Sequence, residues 1–211
     1  MISLLSVALL HAASAPPRSA TFGLTLLGGV GAFSFNKIHA MHTRFPALHD
    51  VVVDVNDYMS VVPGLQLLLP QLAGFTSITE LNVSNQGLVS FPNSLCALTG
   101  LTELNAWSNK LTTLPDSIAA LTQMKRLHLS GNKFATFPQP IVKLTSLTVL
   151  HLGSNQLVTL PDSIAALTAL KTLYLYNNPL AKPQSSAVEA WLAALEAGGC
   201  EVKMPEDQDG E

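Results

Sequence analysis

Apolar residues recur at a fixed interval of 23 residues through the middle of the chain, from residue 78 to residue 180. In each unit the first, fourth, sixth and eleventh positions are apolar or small, and the ninth is a polar amide. The first four units then place an apolar residue directly before a proline. The fourth-position column is Leu81, Leu104, Leu127, Leu150 and Leu173, and the ninth-position column is Gln86, Asn109, Asn132, Asn155 and Asn178.

Two stretches, 111–122 and 157–168, agree at eleven of twelve positions and lie two units apart. One such unit cannot bury its own apolar side, whereas stacked units bury one another's leucines in a continuous core. The alternation around each L-x-L predicts a short strand with alternate residues pointing inward. The amide column can hydrogen-bond backbone groups inside the coil. The repetition therefore predicts a solenoid, with the proline beginning a segment on its convex side.

This pattern resembles the leucine-rich repeat, L-x-x-L-x-L-x-x-N-x-L-x-x-L-P-x-x-I-x-x-L, over residues 78–183 in units that start at 78, 101, 124, 147 and 170. The resemblance implies an α/β solenoid with short parallel strands on its concave face. The 23-residue LP-x-x-I form is similar to that of intracellular scaffold proteins such as Scribble, Erbin and the Ras suppressors. Gln86 departs from the asparagine column, which suits a repeat at the edge of the array.

A helical cap is predicted at each end of the repeats. Residues 46–62 place apolar side chains at helical spacing, and residues 67–75 read as a truncated repeat, so residues 46–77 form the expected N-terminal cap. Residues 184–204 form the expected C-terminal cap, whose helix begins after a serine and ends at Gly198-Gly199. Trp191 lies on the apolar face of this helix, and we expect it to cover the last repeat. Residues 205–211 form an acidic tail.

The first 45 residues are apolar and contain no acidic residue. Residues 1–20 read as a leader or targeting-like segment, and residues 21–45 contain a candidate membrane anchor followed by a linker. Residues 21–35 carry no charge. This run is slightly shorter than the roughly 17–25 residues that a membrane span needs. Residues 36–38 extend it. Its predicted membrane residues are Phe22, Leu24, Leu26, Leu27, Gly28, Ala32, Phe33 and Phe35. Gly28 and Ala32 have the small-xxx-small spacing of packed membrane helices.

Three further interpretations of this region stay open. The first run could be a secretory signal cut after Ala13-Ser14-Ala15, although Pro16 would follow the cut and no basic residue precedes the run. The acid-free, serine-containing stretch could instead be an organelle-targeting leader with few arginines. A helix that packs against protein is the alternative to a membrane anchor.

Composition narrows the function classes. Only 12% of residues are charged, and the mean hydropathy is +0.34, which excludes a disordered chain. Residues 50–211 hold 8 basic and all 14 acidic residues, a net charge of −6, and we find no basic face for nucleic acid. The two cysteines, Cys96 and Cys200, lie 104 residues apart, so a disulfide between them is not expected.

The strand positions that flank the inward leucines predict a concave face with few charges. Asn105, Trp107, Arg126, His128, His151, Tyr174 and Tyr176 are the predicted partner-binding residues. Neighbouring strands lie about 4.8 Å apart, so His128 and His151 should be close. A metal would need a third ligand, which the sequence does not place beside them, so no metal is predicted. Large aromatic residues on a small, polar face are typical anchors of protein interfaces.

No catalytic arrangement is evident. Residues 28–31, Gly-Gly-Val-Gly, lie in an apolar run without the lysine of a phosphate-binding loop. No Ser-His-Asp or paired-carboxylate motif stands apart from the repeat. Asp116 and Asp162 recur because the repeat recurs, and we expect them to cap short convex turns. The sequence thus predicts no enzyme, no cofactor and no small-molecule substrate.

These features predict a non-enzymatic protein–protein interaction module, tethered to a membrane as an accessory or structural subunit of an organelle membrane complex. The acid-free leader favours a mitochondrial membrane over a plastid or secretory-pathway membrane. Two alternatives remain. The resemblance implies a soluble, cytoplasmic signalling scaffold that binds a small GTPase or another protein. A secreted recognition protein would also fit, although its extracellular relatives usually have cysteine-rich caps.

Overall fold

The computed structural model of this protein describes residues 22–25, 51–54 and 78–205. These residues form one parallel sheet of eight short strands, and the strands lie side by side in chain order. The strands are β1 (Phe22–Thr25), β2 (Val51–Asp54), β3 (Ile78–Asn82), β4 (Glu103–Asn105), β5 (Arg126–His128), β6 (Val149–His151), β7 (Thr172–Tyr174) and β8 (Glu201–Lys203). The α/β solenoid predicted from the repeat is confirmed for residues 78–205.

The 23-residue interval sets the register of the sheet. From β3 to β7 each residue pairs with the residue 23 positions later, so Leu81, Leu104 and Leu127 lie in one row. Each inward leucine of this row is fully buried. The row continues through Leu150 and Leu173, so a single apolar core runs the length of the stacked units.

Each of the first four units returns along the convex side through a short 3-10 helix. These helices are Asn93–Ala97, Asp116–Ala120, Gln139–Lys143 and Asp162–Ala166. Each follows a proline in extended conformation, whose carbonyl accepts the first hydrogen bond, as from Ile118 N to Pro115 O at 3.0 Å. The expectation that Asp116 and Asp162 cap these turns is wrong. The capping residues are prolines, which have no side-chain hydrogen-bonding group, and the aspartates lie one residue later.

The asparagine column forms a buried ladder through the repeats. Asn132 is typical: its Oδ1 accepts from Leu111 N at 3.0 Å, and its Nδ2 donates to Ala106 O at 3.0 Å and Leu129 O at 2.9 Å. Its side chain thereby joins its own unit to the preceding one. Asn109, Asn155 and Asn178 make the same set of contacts. The predicted role of the amide column is confirmed.

A helix and a strand close the C-terminal end. Helix α1 (Ser186–Ala197) begins after Ser185, whose side chain accepts from Val188 N at 3.2 Å, and it ends at Gly198. Trp191 is buried, as the helical spacing predicted, and its Nε1 donates to Leu167 O at 3.3 Å, a residue of the unit that starts at 147. Strand β8, which no position of the 23-residue interval predicts, pairs with β7 at the edge of the sheet.

Two predictions for the N-terminal region need correction where the structure describes it. Residues 51–54 form strand β2 and not part of a helix, because their backbone pairs with β1 and β3; the rest of the predicted 46–77 cap lies outside the described residues. Phe22 and Leu24, predicted in a membrane helix, belong to strand β1. Leu26, Leu27, Gly28, Ala32, Phe33 and Phe35 lie outside the described residues. No helix in the described ranges is long and apolar enough to cross a membrane.

Candidate functional site

The concave face carries the side chains on either side of each inward leucine. Because pairing partners are 23 residues apart, side chains at the same position in successive units form rows across the sheet. One row contains Glu80, Glu103 and Arg126. Arg126 forms an ion pair with Glu103 and lies 3.6 Å from Glu80, measured from its Nη2 to Oε1. The predicted partner-binding residue Arg126 thus contacts two carboxylates from the preceding strands at the surface.

His128 and His151 meet in the adjacent row. Their Nδ1 atoms are 2.9 Å apart, and their rings lie edge to face at 82° with centroids separated by 4.5 Å. This contact is a hydrogen bond, in which one Nδ1 donates and the other accepts. The proximity predicted from the strand spacing is confirmed.

The surroundings favour neutral imidazoles. Burial, and secondly the neighbouring His128, lowers the pKa of His151 from its ordinary value of 6.5 to about 4. Burial also lowers the pKa of His128, while Glu103 opposes that shift. His151 Nε2 is buried and has no hydrogen-bond partner among the described residues. Both rings are therefore uncharged at neutral pH.

Tyr174 continues the row beyond His151. Its ring stacks on the His151 ring, with centroids 4.3 Å apart and planes 7° from parallel. The Tyr174 hydroxyl donates to Glu201 Oε1 at 2.9 Å, and Lys203 Nζ lies 4.4 Å from the ring centroid. The hydrogen bond from Tyr174, followed by that from Lys203, lowers the pKa of Glu201. Strand β8 therefore extends the concave network by two charged residues.

Trp107 and Tyr176 flank this network at the ends of their strands. Trp107 is 48% exposed, and its backbone N donates to Asn105 Oδ1 at 3.1 Å. Tyr176 lies over Gly153, where an added Cβ would come within 2.7 Å of the tyrosine ring. Its centroid is 6.1 Å from that of Tyr174. Because Gly153 has no side chain, the Tyr176 ring can pack directly over this residue of the neighbouring unit.

The structure joins five of the seven predicted residues into one surface network. Arg126, His128, His151, Tyr174 and Tyr176 follow one another through direct or shared contacts, with Glu103 between Arg126 and His128. Asn105 holds the turn that carries Trp107. We call these seven residues, with Glu103, Glu201 and Lys203, the concave strip. Glu201 and Lys203 were missed because β8 lies outside the 23-residue interval, so no repeat position marks them.

The concave strip offers little to a metal ion. Glu103 Oε1 approaches His128 from the Nε2 side at 3.9 Å, whereas the paired Nδ1 atoms lie on the other side of the ring. Among the residues that the structure describes, no group of three histidine, cysteine or acidic side chains has the spacing of a metal site. Cys96 and Cys200 do not form the disulfide that the sequence argued against, and the structure places both in buried positions.

Comparisons with known proteins agree with the repeat architecture. Residues 145–186 match the family of leucine-rich repeats, in two copies. A leucine-rich repeat protein of Leptospira interrogans is 29% identical with a TM-score of 0.59, and the match covers 70% of this chain and 36% of that chain. An internalin of Listeria monocytogenes is 19% identical with a TM-score of 0.55, covering 77% and 44%, a likeness of fold alone.

The chain spans less than half the length of both solved structures. No curated protein matches its sequence. The family match at residues 145–186, the 23-residue register and the likeness of fold to the two solved structures show that residues 78–183 are built of leucine-rich repeats. The similarity to the Scribble, Erbin and Ras-suppressor type stays a prediction.

Proposed function

We propose that this leucine-rich repeat protein is a non-enzymatic interaction module that binds a protein partner on its concave strip. Leucine-rich repeats are typically non-enzymatic interaction modules, which supports the class of function. The exposure of Trp107 on the same face as Arg126 is the observation that carries the proposal. Tryptophan, tyrosine and arginine are the residues most enriched among those that dominate binding energy at protein interfaces.

The geometry of the concave strip favours a macromolecular partner over a small ligand. Its polar side chains contact one another across successive strands. They therefore form a continuous surface and do not converge on one point, as the groups of a small-ligand site would. Side chains that are already held in place lose little conformational entropy when a partner binds. The His151–Tyr174 stack and the Arg126–Glu103 ion pair supply this preorganisation.

Site-specific photocrosslinking tests this proposal. A photoreactive phenylalanine analogue replaces Trp107 in the full chain, expressed in its source cells. Val158 provides the matched control, because it is 50% exposed and lies outside the strands of the concave face. We expect a discrete crosslinked protein from position 107 and none from position 158. Equal products from both positions, or no product from position 107, would contradict the proposal.

The finer proposal is that the module is an accessory subunit of an organelle membrane complex, mitochondrial by preference. The acid-free first 49 residues and the 12% content of charged residues, which suits a subunit whose surfaces are covered, support it. Native gel electrophoresis of source membranes in mild detergent separates this proposal from its alternatives. Migration with a large membrane complex is expected. Recovery without detergent as a chain of 22.4 kDa would contradict it and favour the soluble scaffold.

A further inference from the structure

The His128–His151 pair occupies the middle of the concave strip, on the adjacent strands β5 and β6. Because their Nδ1 atoms are 2.9 Å apart, only one hydrogen atom can lie between the two rings. The contact therefore exists only while at least one Nδ1 carries a lone pair. Two fully protonated rings would point an N–H at each other across this distance, and their positive charges would repel.

We propose that this pair is a proton-operated switch in the docking surface: the neutral pair holds the concave strip in its binding arrangement, and double protonation separates the rings and releases the partner. The release rests on the function proposed above. The separation of the rings is a property of the chain alone, so each can be tested without the other.

The buried nitrogen of His151 indicates which tautomers the neutral pair adopts. His151 Nε2 has no hydrogen-bond partner among the described residues, and a buried lone pair without a partner is easier to accommodate than a buried N–H. His151 therefore carries its hydrogen on Nδ1 and donates it to His128 Nδ1. His128 then carries its hydrogen on Nε2, on the side where Glu103 Oε1 lies 3.9 Å away.

The charges around the pair set the order of protonation. Toward His128, β4 presents Glu103 and β5 presents Arg126, and Glu80 on β3 reaches Arg126. Toward His151, β7 presents Tyr174 and β8 presents Glu201 and Lys203. Glu103 favours a proton on His128, while Arg126 opposes it. Once His128 is charged, it opposes the second proton on His151. The first proton therefore goes to His128 and the second to His151.

The first proton does not break the contact. His128 can then donate from Nδ1, provided that His151 moves its own hydrogen to Nε2, where the buried N–H has no partner among the described residues, so this first step also costs free energy. The second proton leaves no acceptor between the rings. The Tyr174 ring is stacked against His151, so His128 is the ring that turns. As His128 turns toward Glu103, it competes with Arg126 for that carboxylate. The side chains of the concave strip then lose their binding arrangement.

Nitrogen NMR of the full chain, labelled with ¹⁵N-histidine, tests the switch directly. We expect one Nδ1–H and one Nε2–H ring near pH 7, and two coupled titration steps of which the second falls near pH 4. Because the chain has 6 histidines, the single variants His128→Asn and His151→Asn assign the signals of the two rings. His128→Asn should also raise the pKa of His151, because the neighbouring charge is gone. The switch is overturned if both rings titrate independently near 6.5, or if removing His128 leaves the titration of His151 unchanged.

The crosslinking yield at position 107, compared in extracts of the source cells adjusted to about pH 7 and to about pH 3, tests the release of the partner, because about pH 3 lies one unit below the second titration step. In the native chain we expect the yield to fall about tenfold, and in His128→Asn we expect this ratio to shrink to less than about twofold, whatever the yield at pH 7. An equal ratio in both chains would overturn the release. No crosslink at either pH would contradict the proposed function, and the NMR titration would still decide whether the proton-dependent separation exists.

Discussion

Two polar rows cross the repeats of this protein, and they are built on opposite rules. The asparagine ladder uses the same residue in four successive units, is buried, and directs its hydrogen bonds at backbone groups. The concave strip changes residue from unit to unit, is partly exposed, and directs its contacts at other side chains. A row that repeats one residue serves the fold, which is the same in every unit. A row that varies can serve recognition, which differs along the surface.

Two asparagine-to-alanine substitutions provide the strongest test of this comparison. Asn132→Ala removes a buried side chain that joins two units and leaves several backbone groups without partners. We expect the free energy of unfolding to fall by about 2–4 kcal/mol, measured by urea denaturation. Asn105→Ala, which removes one exposed contact to Trp107 N, should cost less than about 1 kcal/mol. Equal losses at both positions would remove the distinction between the rows.

The reverse pattern is expected for Trp107→Ala. The side chain is 48% exposed, so its loss should change the free energy of unfolding by less than about 0.5 kcal/mol. As an interface anchor it should contribute about 2 kcal/mol to binding of the crosslinked partner, measured by calorimetry once that partner is purified. A large loss of stability with unchanged affinity would assign Trp107 to the fold.

Acid should destabilise the concave strip more than the ladder. The pKa of His151 is about 4 in the folded chain, against 6.5 as its ordinary value. Between these two pH values the unfolded chain binds more protons than the folded chain, so the free energy of unfolding decreases as the pH is lowered. This contribution is fully present above pH 6.5 and lost by about pH 4. Solvent screening at the partly exposed pair limits the loss to about 1–2 kcal/mol.

Urea denaturation of the native chain and of the His128→Asn, His151→Asn double variant at a series of pH values checks this dependence. The double variant retains every carboxylate, so it isolates the histidine contribution from general acid denaturation. Parallel pH profiles for the two chains would show that the pair does not contribute.

The smallest effect is expected at the C-terminal end of the strip. Tyr174→Phe keeps the ring stacked on His151 and removes only the hydroxyl that donates to the exposed Glu201. We expect the free energy of unfolding to change by less than about 0.5 kcal/mol. Tyr174→Ala removes the ring as well and serves as the comparison. A loss above about 1 kcal/mol for the phenylalanine variant would show that the hydroxyl contact is part of the fold.

Prediction from the sequence succeeded where the 23-residue interval applies. The buried leucine row, the asparagine ladder and the closeness of His128 and His151 all follow from the register that this interval imposes. It failed at the ends of the array and, inside the array, for the capping role of Asp116 and Asp162. Val51–Asp54 has apolar spacing that fits a helix, yet it forms a strand because the sheet offers an edge for pairing. Glu201 lies 29 residues after its pairing partner Thr172, so the interval does not reveal it.

The sequence by itself determined the fold of the repeats. A repeated apolar pattern buries its leucines only when units of the same fold stack on one another, because each unit covers the leucines of its neighbour. It also determined which side chains of the five repeat units share the concave face, although not the two that β8 adds. Only the tertiary structure decided how those side chains meet: which nitrogens of His128 and His151 face each other, which ring stacks on Tyr174, and which carboxylates hold Arg126. Rotamers and cross-strand contacts depend on every neighbour at once, and the concave strip includes β8, which lies outside the interval that the sequence repeats.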